Sequence, residues 1–473
     1  MDGLEAIEIK YSQLIDDKNK TKRIDSEYFK KEYIKGNELL NKTGQSLCSN
    51  FEVKGGKRLP LNESFSDSGI KYARAEDIKR YFLNIDNSPF ISTKLHRDLK
   101  QYITKHGDVL LTIVGNSIGD VAKNELNDTV NLTENCVRVF SDYDKKNTFL
   151  FIFLLSKYGQ QQIARETVGT AQPKLAIERI KDFLVPSFRE EFCNLLYDVE
   201  KLSWSYLSKG KEKYFEANKT LTDVLDVQQI NQISPVKAEK LFSDSFVKTG
   251  RLDAEYYQPK YDSLFETIER FSCKQLGGNN GIVTIKKSIE PGSDAYQDEG
   301  IPFVRVSDVS KFEVLEPELF LPDNIIDNTE LLFPKKDTIL FSKDGSVGIA
   351  YKVEEDMRII TSGALLHLTV RDTGAVLPDY LTLVLNSPIV QLQAERDANG
   401  AIIQHWKPSE IEKVVIPVLD MSIQRKISDK VQESFDLRHK SKELLEYAKQ
   451  AVEMAIEQRE DVALEWLKEK VGE

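Results

Sequence analysis

Two glycines followed by two cations, GGKR at residues 55–58, are the nearest thing in this sequence to an anion cradle. Glycine lets a backbone come close to a phosphate, and Lys57 and Arg58 would supply the charge. The plain alternative is a tight turn with two exposed cations. Further on, KYARAEDIKR (71–80) places Lys71 and Arg74 on a predicted strand, and Arg305 in GIPFVRVSDV (300–309) holds the place of Arg74, with Lys286 and Lys287 upstream. Here too a structural reading competes, an Arg74–Asp77 and an Arg305–Asp308 pair. The turns GNSIG (115–119) and KDGSVG (343–348) offer Asn116, Ser117, Lys343 and Ser346 to a phosphate, or are ordinary β-turns. Just before the last short helix of each half, Gln172 and Lys174, then Gln404, His405 and Lys407 beside Trp406, are the side-chain types that pair with base edges in a DNA groove. These are all binding groups.

Catalytic patterns are missing. The sequence has no GxxxxGK[ST] loop, no GxGxxG after a strand, no HExxH, no GxSxG and no Asn-Pro-Pro-aromatic motif of amino-methyltransferases. Five histidines without metal spacing argue against a histidine acid–base centre or a metal site, and the four scattered cysteines form no CxxC pair. The start, MDGLEAIEIKYS, has no apolar leader, and FLFIFLL (149–155) is far short of the roughly 20 residues that cross a bilayer. A cytoplasmic protein without a membrane partner is the expectation.

The elements that position these groups occur twice. RIDSEYFKKEY (23–33) returns as RLDAEYYQPKY (251–261), GIKYARAEDI (69–78) as GIPFVRVSDV, and GDVLLTIVGNSIGDVA (107–122) as KDTILFSKDGSVGIA (336–350). FLLSKYGQQQIARE (153–166) returns as LVLNSPIVQLQAER (383–396), and QPKLAIERIKDFLVP (172–186) as QHWKPSEIEKVVIP (404–417). The offset stays near 230 residues throughout, so the chain is a tandem duplication with a domain in each copy. Each copy predicts a short helix after the opening motif and then short strands with glycine-marked turns. A helix near 148–166 (379–396) and an apolar strand ending at Pro186 (Pro417) follow, giving an α+β class.

Beyond each proline the pattern becomes helical. Phe192, Leu195, Val199 and Leu202, and later Ile427, Val431, Phe435 and Leu445, recur at three-to-four spacing in long amphipathic stretches that need a partner. The two helices most simply pair with each other. Residues 226–245 read as a linker. Net charge is −11; residues 1–230 carry 35 Lys and Arg against 34 Asp and Glu, so the acid lies in the rest. Bulk charge therefore gives no argument for DNA, although local patches can still bind it.

Together, the duplicated motifs resemble the specificity (S) subunits of type I DNA restriction–modification systems, over nearly the whole chain and in the family's order. The resemblance implies two target recognition domains, 23–188 and 246–417, after an N-terminal extension (1–22). A central helix and linker (189–245) and a distal helix (418–473) would pair as an antiparallel coiled-coil spacer. It also implies a non-catalytic chain that reads a split, asymmetric site in double-stranded DNA and holds no cofactor. Methyltransferase subunits would bring S-adenosylmethionine for adenine N6, and restriction subunits would bring ATP-dependent translocation with Mg. The eight apolar residues named above are the candidate partner-binding positions. The charged N-terminal 22 residues and the acidic second half depart from the pattern. Two other readings compete: the recognition part of a fused methyltransferase–nuclease, and a tandem scaffold for protein partners.

Overall fold

A computed structural model describes residues 7–11, 23–169, 171–227, 239–325, 328–400 and 404–472. Most of the expected N-terminal extension, and the 228–238 part of the expected linker, lie outside the described residues. The chain forms two compact units, Met1–Tyr206 with Lys440–Glu473, and Leu207–His439. The division falls inside both long helices, Glu190–Leu225 and Met421–Glu457, so each unit owns a segment of each.

In the first unit a mixed sheet runs in the order Glu52–Gly55, Cys136–Phe140, Val109–Thr112, Val121–Lys123, Tyr81–Phe82. A second sheet orders Phe90–Ile91, Ile70–Ala73, Val130–Leu132 and Ile103–Thr104. A separate pair joins Gly44–Ser46 to Leu184–Pro186. The apolar run at 149–155 is a helix buried on all sides, because its residues leave no polar face to turn to water.

The second unit repeats this plan. Its main sheet orders Val283–Lys287, Leu365–Val370, Ile339–Ser342, Ala350–Lys352. A smaller one orders Leu319–Leu321, Ile301–Val304, Ile360–Thr361, and Cys273–Gln275 pairs Val415–Pro417. The shared strands pair as in the first unit, although among the described residues these sheets hold no counterpart of Tyr81–Phe82 or Ile103–Thr104, and the α+β duplication read from the motifs is present as a topology.

Strand register corrects the motif matching in one place. Val109 faces Lys123, and Ile339 faces Lys352. Equivalent residues are thus 230 apart before the turn and 229 apart after it, so the first turn is one residue longer. Asp108 and Asp337, which the motifs seem to match, are not equivalent. The position of Asp337 is that of Gly107: both have positive φ (66° and 84°), and both N–H groups bond across to the strand after the turn.

A second correction concerns the helix expected over 148–166. Two helices stand there, Asp144–Leu155 and Lys157–Glu166, broken at extended Ser156, whose side chain accepts the Gly159 N–H. Ser387 does the same between Pro378–Leu385 and Pro388–Asp397, accepting from Ile389. A serine oxygen that satisfies the free N–H groups of a new helix is what starts each second helix.

Within each unit the long-helix segments run antiparallel. In the first, Ser203 Oγ donates to Ser441 O at 2.8 Å, and Arg189 reaches Glu460 on a further helix, Glu460–Val471. In the second, Ser434 Oγ donates to Gly210 O at 2.6 Å, and Lys213 pairs with Glu433. A Cβ on Gly210 would come within 3.1 Å of Ser434 O, so the glycine permits a close helix crossing.

These contacts overturn the partner-binding expectation for most of the amphipathic residues. Phe192, Leu195, Val199 and Leu445 are buried in the first unit's core, and Ile427 and Val431 in the second's. Phe435 is half-buried beside Phe312 and Tyr351. The stripes do need a partner, but the chain supplies it. Of the eight, Leu202 is exposed.

Candidate nucleic-acid interface

The two sequence segments with the richest binding groups meet in each unit. In the first, the turn at 115–119 leaves the strand Val109–Thr112 and lies against the strap that carries Gln172 and Lys174. Val114 and Val168 both bridge to Lys174, Gly115 N–H donates to Pro173 O at 3.1 Å, and Leu175 N–H to Ile113 O at 2.9 Å. With the backbone satisfied in this way, the side chains of Asn116, Gln172 and Lys174 stand exposed, with Ser117 half-buried.

In the second unit the same contact has become a regular ladder: Asp344–Gly345 pairs with Gln404–His405. His405 Nδ1 lies 2.8 Å from Asp344 Oδ1, Ser346 and Gln404 are exposed, and Trp406 N–H donates to Lys343 O. The Lys343 ammonium is tied to Asp344. Trp406 itself is a core residue, packed on Phe341. Lys407 is exposed but forms the cap of the short helix Pro408–Ile411, its N–H donating to Glu410.

GGKR is not a hairpin. Gly55 ends an edge strand, Gly56 N–H donates to Cys136 O, and Lys57 N–H donates to Leu132 O in the second sheet, so the segment crosses from one sheet to the other. A Cβ on Gly56 would lie 2.0 Å from Thr133 O, which makes glycine obligatory there. Lys57 and Arg58 project into solvent, Arg58 with Glu134 3.7 Å away. The second unit's basic pair is not its equivalent. Lys286 faces His367 and Lys287 faces Leu366 in the ladder, the places that Lys54 and Gly55 hold in the first unit. Both are exposed.

For the strand cations the structural alternative prevails. Arg74 pairs with Glu76 at 2.6 Å, and the Asp77 carboxylate accepts the Arg74 N–H at 2.7 Å. Arg305 and Asp308 repeat the carboxylate-to-N–H bond at 2.8 Å, capping a short turn. Lys71 leaves the candidate set: its ammonium donates to Asp86 O and Ser88 O and lies 4.1 Å from the Phe90 ring centre, holding a loop of its own unit.

Sequence reasoning passed over the groups that hold these surfaces in place. Lys123, fully buried, meets Glu125, Asp144 and Glu200 at 3.0–3.2 Å. Burial keeps the Glu200 carboxyl above the ordinary carboxylate range, even with Lys123 beside it. The signal was present as a lysine in step, VAKNE against AYKVE. A second group is the aromatic tip after each Arg–Asp turn. Tyr81 bonds Glu446, and Phe82 packs on Trp204, fixing the first unit's sheet to its helix segments. In the second unit Phe312 packs on Tyr214 under the Arg438 guanidinium, 3.7 Å above its ring centre. Burial pulls Arg438 down to about 10.

Among the described residues there is no cluster of His, Cys, Asp and Glu fit to hold a metal ion, and no helix is long and apolar enough to cross a membrane.

Comparison with known proteins finds a family similarity over part of the chain. Residues 46–187 match the family model of the type I restriction modification DNA specificity domain. No curated protein matches. Among solved structures the chain is similar to a type I restriction-modification S subunit from M. genitalium, at 14% identity. That match covers 90% of this chain and 95% of that one, with a TM-score of 0.35. It is also similar to the HsdS subunit from Thermoanaerobacter tengcongensis, at 16% identity, 88% and 96% coverage and a TM-score of 0.27. The type IIG restriction endonuclease BpuSI matches at 12% identity over 38% of this chain and 29% of that one, TM-score 0.30.

Proposed function

We propose, from the match of residues 46–187 to the type I restriction modification DNA specificity domain, that the whole chain is the specificity subunit of such a system. The observation that carries this is the second unit, which repeats the central strand order of the first, including the meeting of turn and strap. Each unit reads one half of a split site in double-stranded DNA. Because the two turns differ in sequence and length and the two straps in sequence, the halves differ and the site is asymmetric.

Lys57 and Arg58, and Lys286, Lys287, Lys343 and Lys407, are assigned to phosphate contacts that set register. Asn116, Ser117, Gln172 and Lys174 in one unit, and Ser346, Gln404 and His405 in the other, are assigned to base edges. The chain carries no catalysis and no cofactor. Methyltransferase and restriction subunits supply S-adenosylmethionine, ATP and Mg, and the complex works in the cytoplasm. Leu202 and the outer faces of the long helices are the surface left for those subunits, since the inner faces are occupied by the chain itself.

The test is methylome sequencing of a host that gains this chain with its methyltransferase subunits. The expected motif has two different specified blocks separated by a fixed gap. A palindromic or continuous motif would overturn the two-reader reading. Methyl transfer by the purified chain alone would overturn the non-catalytic one. The double variant Lys57→Ala, Arg58→Ala should weaken binding uniformly across sequences and lower the salt slope by about 2.

A further inference from the structure

We propose that Gln160 and Gln391 are the positioning residues of the two DNA-facing turns, one glutamine per unit. The inference rests on the reading above and goes beyond it by naming what holds each reader in shape.

The two side chains make the same bonds. Gln160 Nε2 donates to Gly119 O at 3.0 Å and to Leu154 O at 2.8 Å; Gln391 Nε2 donates to Gly348 O at 2.7 Å and to Leu385 O at 3.0 Å. Leu154 and Leu385 stand at the C-terminal ends of the helices broken at Ser156 and Ser387, where carbonyls lack helical partners. Gly119 and Gly348 close the two turns with φ of +99° and +84°. A Cβ on Gly119 would lie 2.8 Å from Gln160 Oε1, and one on Gly348 2.8 Å from Gln391 Nε2. Turn glycine and glutamine are thus fitted to each other, and both amide hydrogens are used.

What sits above this joint differs between the units. The first turn has one residue more than the second, and it exposes Asn116 where the second exposes Ser346. A constant anchor under a variable loop is the arrangement expected of a reader whose letters change while its placement stays. The neighbouring glutamines serve as an internal contrast. Gln162 and Gln393 grip the strands Leu184–Pro186 and Val415–Pro417 through both backbone groups, at 2.7–3.0 Å, and touch no turn.

The experiment uses the full chain assembled with its methyltransferase subunits, and measures Kd for the cognate site and for sites changed by one base pair in either half. Gln391→Leu should cut discrimination about tenfold in the half read by the second unit and leave the other half as in wild type; Gln160→Leu should do the converse. Non-specific affinity and its salt slope should not move. Gln391→Asn, too short to reach Gly348, should give the same half-selective loss should the leucine variant not fold. Gln393→Leu should lower stability with discrimination intact in both halves. Unchanged discrimination in the glutamine-160 and -391 variants, or equal loss in both halves, would overturn the inference. Failure of wild type to discriminate at all would instead strike the specificity-subunit reading beneath it.

Discussion

The two units solve one problem in two ways. Each buries a lysine at the end of the strand after the turn that meets the strap, Lys123 in the first and Lys352 in the second. Lys123 finds Glu200 on the long helix, with Thr148 beside it on the buried helix at 2.9 Å. Lys352 finds Asp379 at 2.8 Å on the buried helix, at the position equivalent to Thr148, and the position equivalent to Glu200 is Val431. The carboxylate has moved from one helix to another while the lysine stayed. An unpaired buried charge costs several kcal/mol, so the lysine and some carboxylate form a unit, but which helix provides the acid is open. The first unit thereby ties its sheet to the long helix by charge. The second does so by apolar packing at Val431 and by Gln432, which donates to Asp379 at 2.8 Å.

The largest break in this comparison should come from Glu200→Ala. It leaves Lys123 with the carboxylates of Glu125 and Asp144 beside Thr148 and should cost the first unit roughly 3 kcal/mol, the low end for a broken buried pair. Val431→Ala, at the equivalent place, should cost the second unit roughly 2 kcal/mol as a cavity. Hydrogen exchange resolved by segment under increasing urea would separate the units; equal costs in both would remove the contrast.

Next in size is a transplant. Thr148→Asp with Glu200→Val writes the second unit's solution into the first and should recover stability to within about 1 kcal/mol of wild type. No recovery over Glu200→Val alone would mean that the two arrangements are not interchangeable.

The pH response is smaller and has a definite sign. Burial lowers the Lys352 pKa, but Asp379 and Glu354 outweigh it, so the folded value stands above the ordinary one. A raised lysine contributes stability that is fully present below about pH 10 and is lost as pH rises through the folded value. The urea midpoint of the second unit should therefore be level between pH 7 and 9 on account of this group and fall above about pH 10. The double variant Lys352→Met, Asp379→Leu should lose less over that alkaline range. The smallest effect should be Tyr81→Phe, which removes the hydroxyl from Glu446 and should cost about 1 kcal/mol in the first unit.

Much of this was open to a reader of the letters. RIDSEYF and RLDAEYY predict a marker of each half, and both arginines make the same two-pronged bond to the aspartate two residues on, Arg23 to Asp25 and Arg251 to Asp253. Each guanidinium also reaches the carbonyls that end the helix of Gln160 or Gln391: Arg23 donates to Arg165 O and Thr167 O, and Arg251 to Asp397 O. The long helices fall where their stripes put them. The meeting of turn and strap was not legible, because its segments are more than 50 residues apart and joined by backbone bonds that any side chains permit. Lys71 looks like a free cation in a string, and only the fold shows its acceptors. The helix stripes predict the pairing of the two helices, but not which of their apolar residues that pairing buries and which it leaves for another subunit, because periodicity reports that a face is buried and says nothing of what buries it.

Reading residues in order was thus enough to establish a duplicated α+β chain with two paired helices, because period, spacing and residue type are local properties. Register in the turns, the partner of each buried lysine and the role of the glutamines were decided only on folding. Each depends on which backbone groups and charges are left unsatisfied once the sheets and helices have closed, and that is a property of the assembled fold alone.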